Sequence, residues 1–318
     1  MRESLGIANW EDASRLVREW ECGTKPPEEM RVKEAIDKFL EDAKSRFLSD
    51  ASIQKLRFLL EKQLVPFCER KRISTMRQIT FSDIIEFRQT WADAALSAYK
   101  KFERLRTFFR FCKHLQWCEN VTEGLKAPKV LHKPTMPFTA EEVERIVWAC
   151  DLYSNNGRYG QGNKARMKAF VLIMRYTGLR IRDVVCLQRS ALQDGRLFVR
   201  TQKTGVPVRL PLPPFVLEAM EKVSPVNNQY FFWSGLGLPK SAVADWQRSF
   251  RKLLHLAGVK GHPHMMRDTF AISLLEKGIP TESVAALLGN TPAIVQKHYS
   301  PWVKSRQLLL EKQLMETW

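Results

Sequence analysis

A proline-bearing basic stretch, Ala127-Pro128-Lys129 through Lys133-Pro134 to Pro137, divides the chain into two patterned halves. Proline fixes its own φ, donates no backbone N–H and pushes the residue before it out of the helical region. Three prolines this close, with little apolar content around them, leave an extended connection in place of a continuous helix. At 318 residues the chain is long enough for about two domains, each burying its own core. The divisions read as an N-terminal appendage over 1–30, a helical domain over 31–127, the linker over 128–138, a second domain over 139–302 and a tail over 303–318.

The first domain reads as helix throughout. From Leu96 to Trp117 the residues Tyr99, Phe102, Leu105, Phe109, Cys112 and Leu115 recur at helical spacing, which predicts one buried stripe. Lys100, Lys101, Arg104, Arg110 and Lys113 fall between them as a basic counter-face, either solvated or set against phosphates. In the appendage, a short amphipathic stretch from Trp10 to Trp20 is closed by Gly23 and Pro26-Pro27.

The second domain opens with Thr139-x-x-Glu142, a capping box in which each side chain satisfies the other's backbone N–H, ahead of Val143, Ile146, Val147 and Cys150. A helix over 165–176 leads to Gly178, where the chain can turn before Arg180. Leu197-Phe198-Val199 and Val206-Pro207-Val208-Arg209-Leu210 then flank Lys203-Thr204-Gly205, a hairpin with lysine at its tip. Pro207 and Pro211 cannot donate to a ladder, so the second strand belongs at a sheet edge or bulge. Helices resume over 243–257, 267–277 and 281–288, stopped by Gly258, Gly278 and Gly289, and Thr291-Pro292 starts a further one. The expected fold is mainly α with a small β-hairpin or antiparallel sheet.

Lys and Arg number 51 against 34 Asp and Glu, a formal net charge of +17 that favours a polyanionic partner, nucleic acid being the commonest. Lys100, Lys101 and Arg104 on the helix, with Lys129 and Lys133 in the linker, are the side chains expected to meet double-stranded DNA. Cysteines 22, 68, 112, 118, 150 and 186 show neither Cys-x-x-Cys nor Cys/His ligand spacing, and so read as reduced thiols with no metal site. No apolar run is long enough to span a bilayer and no lipidation signal appears, so no membrane partner is expected. The expected place of action is the cytoplasm, at the nucleoid.

An ordered set of chemical groups lies in the second domain: Arg180 in Thr177-Gly178-Leu179-Arg180, Lys203 in Gln202-Lys203-Thr204-Gly205, His264 and Arg267 in His264-x-x-Arg267, and the late Tyr299. A phosphodiester repels nucleophiles until its non-bridging oxygens are neutralised, and planar guanidiniums do this bidentately without losing charge. Arg180 and Arg267 suit that task. A phenol with a pKa of about 10 needs cations around its phenolate or a base for its proton. Tyr299 would be the nucleophile, with His264 as its proton acceptor or as a further phosphate donor. The leaving 5′ oxygen needs a proton, which Lys203 on a hairpin tip can bring as general acid. Each of these residues taken alone is commonplace, and their order carries the signal. Nothing in the set calls for a cofactor.

The strings Thr177-Gly178-Leu179-Arg180-Ile181-x-Asp183-Val184 and His264-x-x-Arg267-Asp268-Thr269-Phe270-Ala271 resemble the signatures of the tyrosine recombinases, the phage-integrase family, and His298-Tyr299 with Pro301-Trp302 resembles its C-terminal motif. The resemblance covers about residues 139–302, and the helical 31–127 segment is similar to the family's core-DNA-binding domain. It implies a two-domain, DNA-clamping architecture, a helical SAM-like core-binding domain plus a mixed α/β catalytic domain. It further implies that Tyr299 forms a 3′-phosphotyrosine and frees a 5′-hydroxyl, that Arg180 and Arg267 clamp the phosphate, and that rejoining needs neither metal nor ATP. Asp183 would orient Arg180 or His264, or is simply an acid at a helix start. In Leu287-Leu288-Gly289-Asn290 the family usually has histidine or tryptophan after the glycine; Asn290 can donate a hydrogen bond to phosphate but carries no charge. His298 reads as structural or DNA-facing. The apolar positions of the tail, Val303, Leu308, Leu309, Leu310, Leu314 and Trp318, fold back or, as the resemblance suggests, dock on a neighbouring protomer in a homo-tetramer on DNA. Two rival readings accompany this one: a catalytically weakened integrase-like DNA-binding protein, and type IB topoisomerase-like activity.

Overall fold

The computed structural model describes residues 29–130, 136–154, 163–225 and 227–299, together with Trp10, Glu11, Ser14, Val17, Val303, Glu311 and residues 314–316. The chain divides into two compact units, Met1–His132 and Lys133–Trp318. Among the described residues no helix is long and apolar enough to cross a membrane.

The first unit is helical. Helix α1 (Val32–Ser45) buries Val32, Ala35, Ile36, Phe39, Leu40 and Ala43, an i, i+3, i+4 stripe. Helix α2 (Asp50–Leu59) runs through a π-helical turn (Leu60–Leu64) into α3 (Val65–Arg70). Pro66 has no N–H to offer the carbonyl four residues back, and the widened turn just before it absorbs that mismatch. Helix α4 (Phe81–Gln89) begins at a capping box in which Thr80 Oγ1 accepts from Asp83 N at 3.2 Å and Asp83 Oδ2 accepts from Thr80 N at 2.9 Å. Helix α5 (Ala95–His114) is shorter than the 96–117 pattern suggested. Its stripe is Phe102, Leu105, Phe108, Phe109 and Cys112, all fully buried, whereas Tyr99 and Leu115 at its two ends are exposed. Phe108 packs edge-on against Phe39 of α1 with ring centroids 5.4 Å apart.

In the second unit, α6 (Ala140–Ala149) starts at the expected box: Thr139 Oγ1 accepts from Glu142 N at 3.1 Å, and Glu142 Oε2 from Thr139 N at 2.9 Å. Helix α7 (Asn163–Thr177) is the axis of the main core. Its Phe170 stacks on Trp246 of α10 (Pro239–Leu256) at 4.0 Å, and lies edge-on to Phe232. A short α8 (Ile181–Val185) leads to a three-stranded antiparallel sheet in the order β1 (Leu192–Gln193), β2 (Arg196–Arg200), β3 (Pro207–Pro211). Leu197 pairs with Leu210 and Val199 with Val208, and β3 alternates exposed Pro207, Arg209 and Pro211 with buried Val208 and Leu210. The two prolines thus sit on an edge strand, as expected. The addition to the expected hairpin is β1, joined to β2 by Asp194-Gly195, both at positive φ. After α9 (Pro214–Glu221) and α10, the helices α11 (His264–Glu276), α12 (Thr281–Leu288) and α13 (Pro292–His298) follow. A smaller core of Val208, Leu210, Phe270, Ala271, Val284, Leu288 and Val295 joins β3 to these last three helices, and Tyr299 belongs to it.

Candidate active site

Gly178 ends α7 in the left-handed region at φ +61, with its N–H on Met174 O at 3.1 Å. A side chain there would lie 2.5 Å from Phe270 Cδ1 and 2.8 Å from Leu288 Cδ2. The chain can therefore turn tightly against α11 and α12, and it places Arg180 as the extended residue just before α8. Arg180 Nη2 donates to Asn290 Oδ1 at 2.9 Å, while the buried Nη1 has no partner among the described residues.

Asn290 owes its position to Gly289, which closes α12 at φ +59 so that Asn290 N reaches back to Ala285 O at 2.9 Å. With Oδ1 engaged by Arg180, the amide's donor end is left for another acceptor.

One face of α11 carries His264, Arg267 and Asp268 at i, i+3 and i+4. Arg267 is 1% exposed and donates Nη1 to Gly178 O at 2.7 Å and Nη2 to Leu288 O at 2.8 Å. It thereby fastens the turn before Arg180 to the end of α12. Burial first, and then Arg180, push its pKa below the usual arginine value. His264 is half exposed, with Nε2 3.8 Å from Asp268 Oδ1. Partial removal from water, then the charges of Arg267, His262, Arg180 and Lys203, hold its pKa down to about 4. The imidazole is therefore neutral near pH 7.

Tyr299 follows α13, bonded through its N–H to Val295 O at 2.9 Å, and its side chain is buried. Its hydroxyl interacts with both the Arg267 guanidinium and the Asp268 carboxyl. Burial raises its pKa, Arg267 opposes that rise and Asp268 adds to it. The phenol is neutral at pH 7 and lies within electrostatic reach of a cation and a carboxyl.

Lys203 is exposed on the turn between β2 and β3, near enough for its charge to act on His264. The turn is anchored on both sides of it. Asp183 Oδ1 accepts from Gln202 N at 2.8 Å, and Thr204 Oγ1 donates to Gly289 O at 3.2 Å. The hydrogen bond of Asp183 thus goes to the root of the lysine turn rather than to Arg180 or His264, and the buried carboxylate holds the turn in place. His298 is exposed and turned away from the buried Tyr299 core.

The structure brings Arg180, His264, Arg267, Asn290 and Tyr299 together in one unit, with Lys203 at the edge. Asp268 joins them, a residue that the motif pattern alone does not single out. Its position four residues after His264 on the same helix face was the available signal. Of the basic residues assigned to DNA, Lys100 and Lys129 are exposed, Arg104 is half-buried with its pKa lowered by burial, and Lys133 lies outside the described residues. Lys101 departs from the expected open basic face. It is largely buried, ion-paired with Asp93 and set over the Trp91 ring, so its charge is already matched inside its own unit.

Residues 137–300 match the phage integrase family. A tyrosine recombinase of Thermosipho africanus is 27% identical over 177 residues, 54% of this chain and 59% of that protein, so the alignment spans less than two thirds of that relative. Tyrosine recombinase XerD of Rhizobium meliloti is 26% identical over 227 residues, 67% of this chain and 72% of its own length. In fold, the chain is similar to a lambda integrase dimer bound to a COC′ core site, with TM-score 0.68, 17% identity and coverage of 92% of this chain and 82% of that one. XerH recombinase bound to a palindromic difH substrate gives TM-score 0.64 at 17% identity, covering 96% of this chain and 89% of that one. The matched segment holds every residue of the assembled site, from Arg180 to Tyr299, and over more than half its length the chain belongs to the phage integrase family, the tyrosine recombinases.

Proposed function

We propose that the chain is a site-specific DNA recombinase that cleaves and rejoins strands through a 3′-phosphotyrosine at Tyr299, without metal or ATP. The observation that carries this reading is the buried Tyr299 within electrostatic reach of the buried Arg267, on a helix face shared with His264. Arg180 offers its unpartnered Nη1 to a non-bridging oxygen of the scissile phosphate, and Asn290 adds its amide N–H. Arg267 counters phenolate charge as the Tyr299 oxygen approaches phosphorus, and neutral His264 serves as a hydrogen-bond partner of the phosphate. Lys203 protonates the departing 5′ oxygen. The bond between tyrosine and phosphate preserves the energy of the broken phosphodiester, so a 5′-hydroxyl from another strand can reverse it.

In this proposal residues 31–127 hold the DNA, with Lys100 of that domain and Lys129 of the linker as phosphate contacts, and the protein works in the cytoplasm at the nucleoid. A solved lambda integrase tetramer is bound to a Holliday junction. By analogy, the tail over 303–318 links copies of this chain in a tetramer on DNA; Leu314 and Met315 within it are exposed. The test is covalent trapping. Nicked duplexes randomised over a binding site are incubated with the protein, and the DNA that stays attached after denaturation is recovered and sequenced. The expected result is an adduct with a common sequence, absent in Tyr299→Phe. Specific DNA binding with no adduct would support a binding-only protein instead, and supercoil relaxation by monomers would support a topoisomerase.

A further inference from the structure

We infer that Thr204 is a positioning residue for Lys203, latching the lysine turn onto the corner that presents Asn290; the role rests on the recombinase reaction proposed above. Its hydroxyl Oγ1 donates to Gly289 O at 3.2 Å, across 85 residues of sequence, and lies 2.6 Å from Thr201 Oγ1. A hydroxyl has one proton to give, so with that of Thr204 on Gly289, Thr201 donates to Thr204. Thr201 is 1% exposed and is fixed at the end of β2 by its N–H on Val206 O at 3.0 Å.

The turn does not need this reach in order to close. The bond from Thr201 N to Val206 O, with that from Gly205 N to Thr201 O at 2.8 Å, closes it through backbone alone. What the latch adds is a fixed distance to another element. Gly289 packs so closely against the sheet that a Cβ on it would stand 3.0 Å from Thr201 Cγ2 and 3.1 Å from Val208 Cγ2. The next residue is Asn290, whose Oδ1 takes the hydrogen bond of Arg180 Nη2. Phosphate-binding groups and lysine are thus joined in series: Arg180 to Asn290, Gly289 to Thr204, and Thr204 to its neighbour Lys203. Asp183 holds the other side of the turn through Gln202 N, so Lys203 stands between two anchored residues.

The targets of the two ends, a non-bridging oxygen and the departing 5′ oxygen, sit on one phosphorus. A misplacement of about 1 Å at such a centre can cost about 100-fold in rate. The latch itself enters no bond change. As the bond from phosphorus to the 5′ oxygen breaks, the proton still comes from Lys203, and Thr204 sets where that lysine is rooted.

The experiment is single-turnover adduct formation by the full chain on two nicked suicide duplexes, one ordinary and one with sulfur in place of the bridging 5′ oxygen. A thiolate leaves without an acid, since thiols are far more acidic than alcohols. Thr204→Val keeps the side-chain shape and drops the hydroxyl, and Thr204 is exposed, so the change bears on the latch rather than on the core. On the ordinary duplex this variant should be slowed about 10-fold with unchanged DNA affinity, the worth of the hydrogen bonds lost, and Thr204→Ser should stay within about twofold of wild type. On the sulfur duplex Thr204→Val should match wild type, as should Lys203→Ala, and that match also reports an intact fold. In a Lys203→Ala background Thr204→Val should add nothing on the ordinary duplex, because the two act through one group. A Thr204→Val rate within about twofold of wild type on the ordinary duplex would overturn the assignment. So would a loss that persists on sulfur, or one that multiplies the loss of Lys203→Ala. Absence of any adduct in wild type on either duplex would instead bring down the recombinase reading beneath it.

Discussion

Replacing Gly178 with alanine tests how tightly the turn before Arg180 is set. The residue sits at φ +61, where an L side chain costs about 1–2 kcal/mol. The added Cβ would also stand 2.5 Å from Phe270 Cδ1 and 2.8 Å from Leu288 Cδ2, both in the core that contains Tyr299. Overpacking of this kind typically costs about 1–3 kcal/mol. The midpoints add to about 3.5 kcal/mol, which for a unit of this size lowers Tm by about 7–14 °C. Gly205 provides the control: its φ is +68, yet nothing lies within 4 Å of an added Cβ. Gly205→Ala should bear only the backbone cost, about 1.5 kcal/mol or roughly 3–6 °C. Scanning calorimetry of the full chain measures both, the transition that moves in the two variants being that of the second unit. Equal losses at the two positions would mean that Phe270 and Leu288 step aside freely. A Gly178→Ala protein as stable as wild type would refute the reasoning altogether.

The buried Asp268 carboxyl has a pKa of about 6 against an ordinary 3.8, so protonation favours the folded state, and stability is lost as pH rises through that window, by up to about 3 kcal/mol. The Tm advantage of Asp268→Asn over wild type should accordingly grow between pH 4 and pH 7 in thermal melts, and a pH-independent difference would contradict it. Asn290→Ala removes the acceptor for Arg180 Nη2 and should slow adduct formation by about 10–100-fold, the worth of a hydrogen bond to a charged group. Asn290→His should cleave as fast as wild type or faster in the same assay; a clear loss would show that Arg180 is tuned to the amide. Asp183→Ala should speed amide exchange at Gln202 and loosen the lysine turn, whereas Asp183→Asn keeps an acceptor there and should leave exchange slow. Lys100→Ala should reduce the salt dependence of DNA binding by about one unit of slope, while Lys101→Ala, whose charge is matched by Asp93, should chiefly lower stability.

What the sequence disclosed was mostly local. The Thr139–Glu142 box, the glycine stops of the helices and the edge prolines of β3 are set by neighbouring backbone chemistry, and each appears where the pattern puts it. The π-turn before Pro66 was not anticipated, because periodicity averages over a single displaced residue. Strand β1 was missed although Asp194-Gly195 is a strong hairpin signal, since two-residue strands have no alternation to read. Pairings across long sequence distance were the least legible. Nothing local to Asp183 names Gln202 as its partner, and nothing local to Lys101 shows that Asp93 neutralises it. The assembled site was foreseen through the order of its motifs. Asp268 escaped because a carboxyl earns its importance only from burial beside Tyr299, which depends on how α13 returns to α11.

Arg267 serves two masters. Its guanidinium holds the carbonyls of Gly178 and Leu288 whether or not DNA is ever cut, so a descendant that had abandoned chemistry would keep this arginine merely to stay folded. Lys203, exposed on a turn and without a hydrogen bond or ion pair among the described residues, answers to no such scaffold demand. Across related chains, drift at the lysine should be the earlier sign of lost activity, and the arginine the last residue to go.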